Sequence, residues 1–72
     1  MLKAKFALDM KTVQMCIDAH NQRAGATDVF IVEPVKYSEG QTIVVGSASP
    51  IMYLIGEIAA HGEAGLLDVS SL

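Results

Sequence analysis

The chain has 72 residues, with five Lys and Arg against eight Asp and Glu, and a formal net charge of −3. This length allows one domain, residues 1–72, with a thin core, and so few basic residues argue against the clustered phosphate contacts on which nucleic-acid binding depends. No stretch approaches the roughly 20 apolar residues of a membrane span, and the single cysteine excludes an internal disulfide.

The first predicted elements are a strand over residues 2–8 and a helix over residues 10–24. Apolar side chains alternate along the strand, at Leu2, Ala4, Phe6 and Leu8. Asp9 stands where an N-cap is expected, and Gly25 where a left-handed residue would end the helix. The apolar face of this helix consists of Met10, Val13, Cys16, Ile17, His20 and Ala24.

Two further strands, residues 27–33 and 41–45, are predicted to pair as a hairpin. Both segments are rich in β-branched residues, which favour extended structure. Pro34 donates no backbone hydrogen bond, so it suits a strand end or the edge of a sheet. Gly40 lies in the intervening turn, 37–41, where it can adopt a positive φ.

A second helix is predicted to follow Ser49, whose hydroxyl can cap the first turn. Pro50 then occupies the first helical position, where a missing N–H is harmless. The apolar stripe of this helix consists of Ile51, Leu54, Ile55 and Ile58. Gly62 can end the helix within a loop at 61–65, and a fourth strand follows at 66–70.

The element order is therefore βαββαβ. It predicts an α+β fold, a two-layer open-faced β-sandwich with an antiparallel four-stranded sheet and two helices on one face. Since 51% of the residues are hydrophobic, a core this thin leaves apolar side chains exposed, and we expect a protein partner or a homo-oligomer. No leader sequence is visible, because Lys3 and Lys5 interrupt the first residues, so we expect a cytoplasmic location.

Few residues offer chemistry. Cys16 and His20 fall on the apolar face of the first helix and are predicted to pack there, and His61 is predicted to lie at a helix C-terminus, where a cation is favoured. The histidines, the cysteine and the acidic residues do not have the spacing of metal ligands. We therefore expect no metal, no cofactor and no catalytic residue.

Two groups of surface residues are candidates for binding. Ser47 and Ser49 precede a helix, whose free amides favour an anion, so they are predicted anion-binding or phosphorylation sites. Met52 and Tyr53 lie off the apolar stripe, and Ile55 lies near its margin. Such side chains are typical of protein contacts, so these three are predicted to bind a partner, unless they complete the core of this small domain.

Three segments resemble the second half of the histidine-containing phosphocarrier (HPr) family: Asp28-Val29-Phe30-Ile31-Val32, the strand at 41–45, and Ser49-Pro50-Ile51-Met52-Tyr53-Leu54-Ile55. The resemblance implies that family's sheet, without its last helix, and a docking patch at Met52 and Ile55. The family's phosphoryl-accepting histidine precedes the first helix, where this chain has Leu8-Asp9-Met10-Lys11-Thr12. The family's regulatory serine corresponds to Pro50.

The resemblance thus implies an HPr-like domain without phosphocarrier activity, which acts as a protein-interaction or regulatory module related to the sugar phosphotransferase system. The alternative is a small-molecule or anion-binding regulatory domain of the ferredoxin-like βαββαβ type. The two differ in strand order, 1-4-2-3 in HPr and 4-1-3-2 in ferredoxin-like sheets. An enzyme that uses Cys16 or His20 is not expected, because nothing in the sequence surrounds either residue with a base or an orienting group.

Overall fold

Six elements follow one another in the predicted order in the computed structural model, which describes residues 1–25, 30–62 and 65–72. They are β1 (Leu2–Phe6), α1 (Met10–Ala24), β2 (Ile31–Pro34), β3 (Thr42–Gly46), α2 (Ala48–Ala60) and β4 (Leu66–Ser71). All three strand pairs are antiparallel. The α+β class, the four-stranded sheet and the two helices are therefore confirmed.

The strands are arranged in the order β2-β3-β1-β4. From β4, this is the order 4-1-3-2 expected for a ferredoxin-like sheet, and the order 1-4-2-3 expected from the HPr resemblance is wrong for this chain. Burial explains the arrangement. β1 contributes Ala4 and Phe6, which are fully buried, and therefore lies inside the sheet, whereas most side chains of β4 are exposed and suit an edge.

One face of the sheet carries the core. Alternate residues of β1 and β3, including Ala4, Phe6 and Val44, pack against both helices. The helices contribute Val13, Cys16, Ile17, Ile51, Leu54 and Ile58. Because all these strand residues point to the same side, both helices lie on one face and the other face of the sheet is open.

The boundaries of α1 are those predicted. Asp9 is the N-cap, and its carboxylate accepts a hydrogen bond of 2.7 Å from the Thr12 amide. Gly25 follows the helix with φ +61°. Within the predicted apolar face, Val13, Cys16, Ile17 and His20 are buried, Met10 is exposed, and the side chain of Ala24 lies outside the described part.

The start of α2 differs from the prediction. The helix begins at Ala48 with Ser47 as its N-cap, so the prediction of Ser49 as the cap is wrong. The reason is that the Ser47 carbonyl already accepts the Ile51 N–H, at 3.0 Å, which closes the first helical turn. Pro50 is then the third helical residue, where its missing N–H is still harmless, because the first four amides of a helix have no partner within it.

The strands differ from the predicted spans by one to four residues. β1 ends at Phe6 because the chain then turns: the Ala7 N–H donates to the Gly65 carbonyl, and the Leu8 carbonyl accepts from Thr42 Oγ1 at 2.7 Å. β2 begins at Ile31, and the predicted strand positions 27–29 lie outside the described residues, as do positions 63 and 64 of the predicted loop. Pro34 ends an edge strand, as expected.

The turns contain the expected left-handed glycines. Gly40 has φ +74° between β2 and β3, and Gly62 has φ +80° after α2. The β2–β3 hairpin is confirmed by its register, in which Val32 lies opposite Val44. Neither helix, over the residues described, has the length and apolar character needed to cross a bilayer.

Candidate functional site

An open cleft of about 540 Å³ lies between α1 and α2. α1 contributes His20 and Arg23, and α2 contributes Met52, Tyr53 and Glu57 among others. Its volume falls within the range of roughly 300–1,000 Å³ that is usual for ligand pockets.

Aromatic rings form one wall of the cleft. The buried ring of His20 is stacked on that of Tyr53, with centroids 6.5 Å apart and an interplanar angle of 23°. On its other side, the His20 ring meets Phe30 edge-on at 6.2 Å. Tyr53 itself is 69% exposed. The wall therefore presents a phenol ring to solvent, with its inner face towards His20.

A buried carboxylate lies at the base of the same wall. Glu57 is on the core side of α2 and is almost fully buried. Its Oε2 is 3.2 Å from Arg23 Nη2 and 2.9 Å from His61 Nε2, although neither contact has hydrogen-bond directionality. The pairing therefore rests on charge, which Arg23 supplies at every physiological pH and His61 only when protonated.

The ion pair leaves Arg23 at the rim of the cleft. Its side chain is 66% exposed, and one of its terminal nitrogens faces Glu57. Because a guanidinium carries five N–H donors, several are left for a second acceptor. The cleft thus combines an apolar interior with a cation that is paired to Glu57 within the chain.

On the α2 side, the cleft is lined in part by small residues. Met52, Gly56 and Ala60 are four residues apart and lie in one line along the helix. A Cβ atom at Gly56 would meet nothing within 4 Å. Packing within the described chain therefore does not require a glycine here, and its effect is to deepen the cleft.

The predicted partner-binding residues do not form one patch. Met52 and Tyr53 line the cleft and are 58% and 69% exposed, so they do not complete the core. Ile55 is half-buried and lies on the other side of α2, in a groove of about 490 Å³ beside Phe6 and Leu66. Tyr53 and Ile55 face different directions, because residues two positions apart on a helix do not share a face, and the two sites have no lining residue in common.

The two predicted anion-site serines lie at the start of α2, outside the cleft. Ser47 is the N-cap, but its side chain makes no capping hydrogen bond. Ser49 is exposed in the first turn, beside Pro50, which offers no N–H. Anion binding or phosphorylation at Ser47 and Ser49 stays a prediction.

Five residues of the cleft are missing from the sequence-based site: His20, Arg23, Gly56, Glu57 and Ala60. His20 was predicted only to pack, and it does so, but against the ring that lines the cleft. Glu57 had a usable signal, because it follows Leu54 by three positions and so places a charge on the buried face of α2. For Arg23 the sequence carries no such signal, because its role depends on the contact between the two helices.

Cys16 and His61, the other side chains considered for chemistry, have structural positions. Cys16 is buried in the core, as predicted. His61 is the C-cap of α2, as predicted, and also approaches Glu57. Within the described ranges, no three His, Cys, Asp or Glu side chains are arranged to hold a metal ion.

Comparisons with protein-family models, with curated proteins and with solved structures found no significant match to this chain.

Proposed function

We propose that this chain is a non-catalytic protein-binding domain whose cleft between α1 and α2 receives an apolar side chain of a partner. The exposed Met52 and Tyr53 carry this proposal, because the structure holds both at one open, apolar cleft. Methionine adapts its shape to a partner, and tyrosine provides a large contact area at a small entropic cost. An open cleft suits a protein segment better than a small molecule, which is usually enclosed.

Charge further specifies the partner. The cation at the rim of the cleft is Arg23, in a chain with a net charge of −3. Its remaining N–H donors are suited to a carboxylate, which a guanidinium can bind with two hydrogen bonds. We therefore expect a partner segment in which an apolar side chain stands next to Asp or Glu.

The proposal keeps only part of what the HPr resemblance implies. It retains a protein contact on the second helix and the absence of histidine phosphorylation. The link to the sugar phosphotransferase system rested on the resemblance alone, and the strand order 4-1-3-2 counts against it. We therefore propose no role in sugar transport.

A second candidate function is the binding of a small apolar carboxylate, as in the ferredoxin-like alternative. It is favoured by the strand order and by Arg23 beside a cleft of about 540 Å³. Such a ligand would place its carboxylate on Arg23 and its apolar part against Tyr53. This candidate differs from the first in that the ligand needs no peptide backbone.

An NMR titration with short peptides tests the proposed function. The probes are an acidic peptide, Asp-Leu-Trp-Glu, its basic counterpart, Lys-Leu-Trp-Lys, and 3-phenylpropanoate. We expect the acidic peptide to shift the amide signals of His20, Tyr53 and Gly56, and to bind at least about tenfold more tightly than the basic peptide, a difference of about 1.4 kcal/mol. Comparable shifts with 3-phenylpropanoate alone would favour the second candidate.

Matched variants locate the binding. Tyr53→Ala should weaken the acidic peptide about tenfold, as loss of an interface aromatic usually does. Tyr37→Ala is the control, since Tyr37 is also exposed but lines a different groove. Arg23→Gln combined with Glu57→Gln should abolish the preference for the acidic peptide without leaving a buried carboxylate unpaired. Equal binding of both peptides, or equal effects at Tyr53 and Tyr37, would contradict the proposal.

A further inference from the structure

The two edges of the sheet differ in how they are protected from pairing. β2 has four residues and ends at Pro34, which has no N–H to offer a neighbouring strand. β4 has six residues without Pro, Lys or Arg, and among the described residues it pairs with β1 alone. Short strands, prolines and lysines are the usual devices that keep an edge unpaired. β2 has two of these devices and β4 has none of the three; of the other protective features, β4 carries only Asp68 and an irregularity at its start.

Apolar side chains are exposed along the unprotected edge. Leu66, Leu67 and Val69 all belong to β4 and are at least 37% exposed. Beside them, the groove of about 490 Å³ between α2 and β4 is lined by Phe6, Ile55 and Leu66. The apolar core is therefore partly exposed to solvent on this side. A further strand next to β4 would cover this exposed apolar surface.

We propose that β4 pairs with β4 of a second copy of this chain, antiparallel and around a two-fold axis, to give a dimer with one eight-stranded sheet. A second copy fits because antiparallel pairing of a strand with itself uses the same patch twice, as a symmetric dimer requires. The irregularity in the β1–β4 pairing lies opposite Lys5 and Phe6, at the start of β4. The later part of β4 is regular and can accept a partner.

The faces of β4 restrict the register of this pairing. Val69 lies opposite Ala4 and therefore points towards the helices, whereas Asp68 lies opposite Lys5 and Ser70 opposite Lys3, on the open face. Residues opposite one another must share a face, so Val69 cannot pair with Asp68 or Ser70.

Charge then selects among the allowed registers. A register centred on Asp68 would place two carboxylates opposite each other, which is unfavourable. Centring on Val69 places valine opposite valine, and Asp68 of one copy opposite Ser70 of the other, whose hydroxyl can donate to the carboxylate. A register centred on Ser70 would place Val69 opposite Ser71 and Asp68 opposite Leu72, and so would lose both favourable pairs. We therefore place the two-fold axis at Val69.

The dimer and the proposed function use different surfaces. The helix–helix cleft contains Met52 and Tyr53, whereas the groove beside β4 contains Ile55 and lies on the other side of α2. Each can therefore fail in its own experiment without deciding the other.

Sedimentation of the full chain over about 5–500 µM tests the dimer. Wild type should approach twice the monomer mass of 7.7 kDa. Val69→Lys should raise the dimer dissociation constant at least about tenfold, because it brings two lysines together. Ile31→Lys is the matched control, since Ile31 is exposed on the other edge strand and should leave the dimer intact. Thermal melting shows whether each variant folds. We expect Val69→Lys to fold, because the Val69 side chain is already partly exposed to solvent.

Cysteine cross-linking tests the register. Opposite Cα atoms in antiparallel strands are roughly 4.5–5.5 Å apart, within the reach of a disulfide. Val69→Cys should therefore form a covalent dimer on oxidation, whereas Ser70→Cys and wild type, whose Cys16 is buried, should not. A wild-type monomer at all concentrations, a dimer that survives Val69→Lys, or equal cross-linking at both positions would overturn the proposal.

Discussion

At the scale of single residues, Asp9 sets the start of α1. Its exposed carboxylate accepts a 2.7 Å hydrogen bond from the Thr12 amide, and the nearby Lys11 adds a favourable charge. The Thr12 backbone bond is the largest cause that lowers the pKa of Asp9 below its ordinary value of 3.8, followed by the Thr12 side chain. The charged form therefore stabilises the folded state.

The pH dependence of stability follows from this direction. Because the folded pKa of Asp9 lies below the unfolded one, its contribution is present above pH 3.8 and is lost as the pH falls through the folded pKa. We expect Asp9→Asn, which keeps an acceptor but no charge, to flatten the fall of the melting temperature between pH 5 and 2. Asp18→Asn, in the middle of α1, is the control. Identical pH profiles for Asp9→Asn and wild type would contradict this assignment.

Single residues also show how far sequence reasoning extends. Asp9 and Gly25 were predictable because a cap depends on a few neighbouring residues. Glu57 is a charge at a buried helical position, which indicates a partner without identifying it. His61 is four residues away from it, on the same turn of the helix, which is a local relation. Arg23 is 34 residues away, and only the folded contact between helices shows that it approaches the same oxygen.

At the scale of elements, Gly56 makes α2 less stable than an alanine at the same position would. A glycine within a helix destabilises it by roughly 0.5–1 kcal/mol relative to alanine, and the space around Gly56 is open. The opposite holds at Gly65, just before β4, where an added Cβ would lie 2.8 Å from Leu8 Cγ. The two glycines therefore serve different purposes.

Alanine at each position should give changes of opposite sign. Gly56→Ala should raise the free energy of unfolding by about 0.5–1 kcal/mol, whereas Gly65→Ala should lower it by about 1–3 kcal/mol through overpacking. Urea denaturation measures both. Because Gly56 deepens the cleft, its alanine variant should also bind the acidic peptide less well. A loss of stability at Gly56 would show that a side chain meets an obstacle there.

The start of α2 illustrates a limit of local rules. Ser47 and Ser49 are both good N-cap residues, and they flank Ala48. Sequence alone favoured Ser49 because Pro50 follows it. The structure shows which serine is used: β3 ends at Gly46, and the carbonyl of Ser47 directly after it accepts the Ile51 N–H of the first turn.

At the scale of the whole molecule, the strand order separates the two folds considered. The element order βαββαβ is common to both, so the periodicity that predicted each strand could not decide which strand lies inside. Central position depends on pairing between β1 and β3, about 40 residues apart in the chain. A resemblance confined to short segments could not supply that long-range information.

Hydrogen exchange tests this order in solution. We expect the slowest amide exchange in β1 and β3, which are paired on both sides, and faster exchange in β2. β4 should exchange quickly in dilute samples and more slowly as the concentration rises and the second copy covers its edge. Strong protection of β4 at every concentration, together with fast exchange in β1, would instead fit a sheet with the last strand inside.

The pairing of β1 with β4 also governs how the molecule assembles. Leu2 lies opposite Ser71, so this ladder spans nearly the full length of the sequence. Closing so large a loop is slow and gains its contacts only when it is complete. Until then, β1, which contains the core residues Ala4 and Phe6, has one unpaired edge. During synthesis, β1 therefore keeps one edge unpaired until β4 has emerged, and that interval is when the chain is most vulnerable to aggregation.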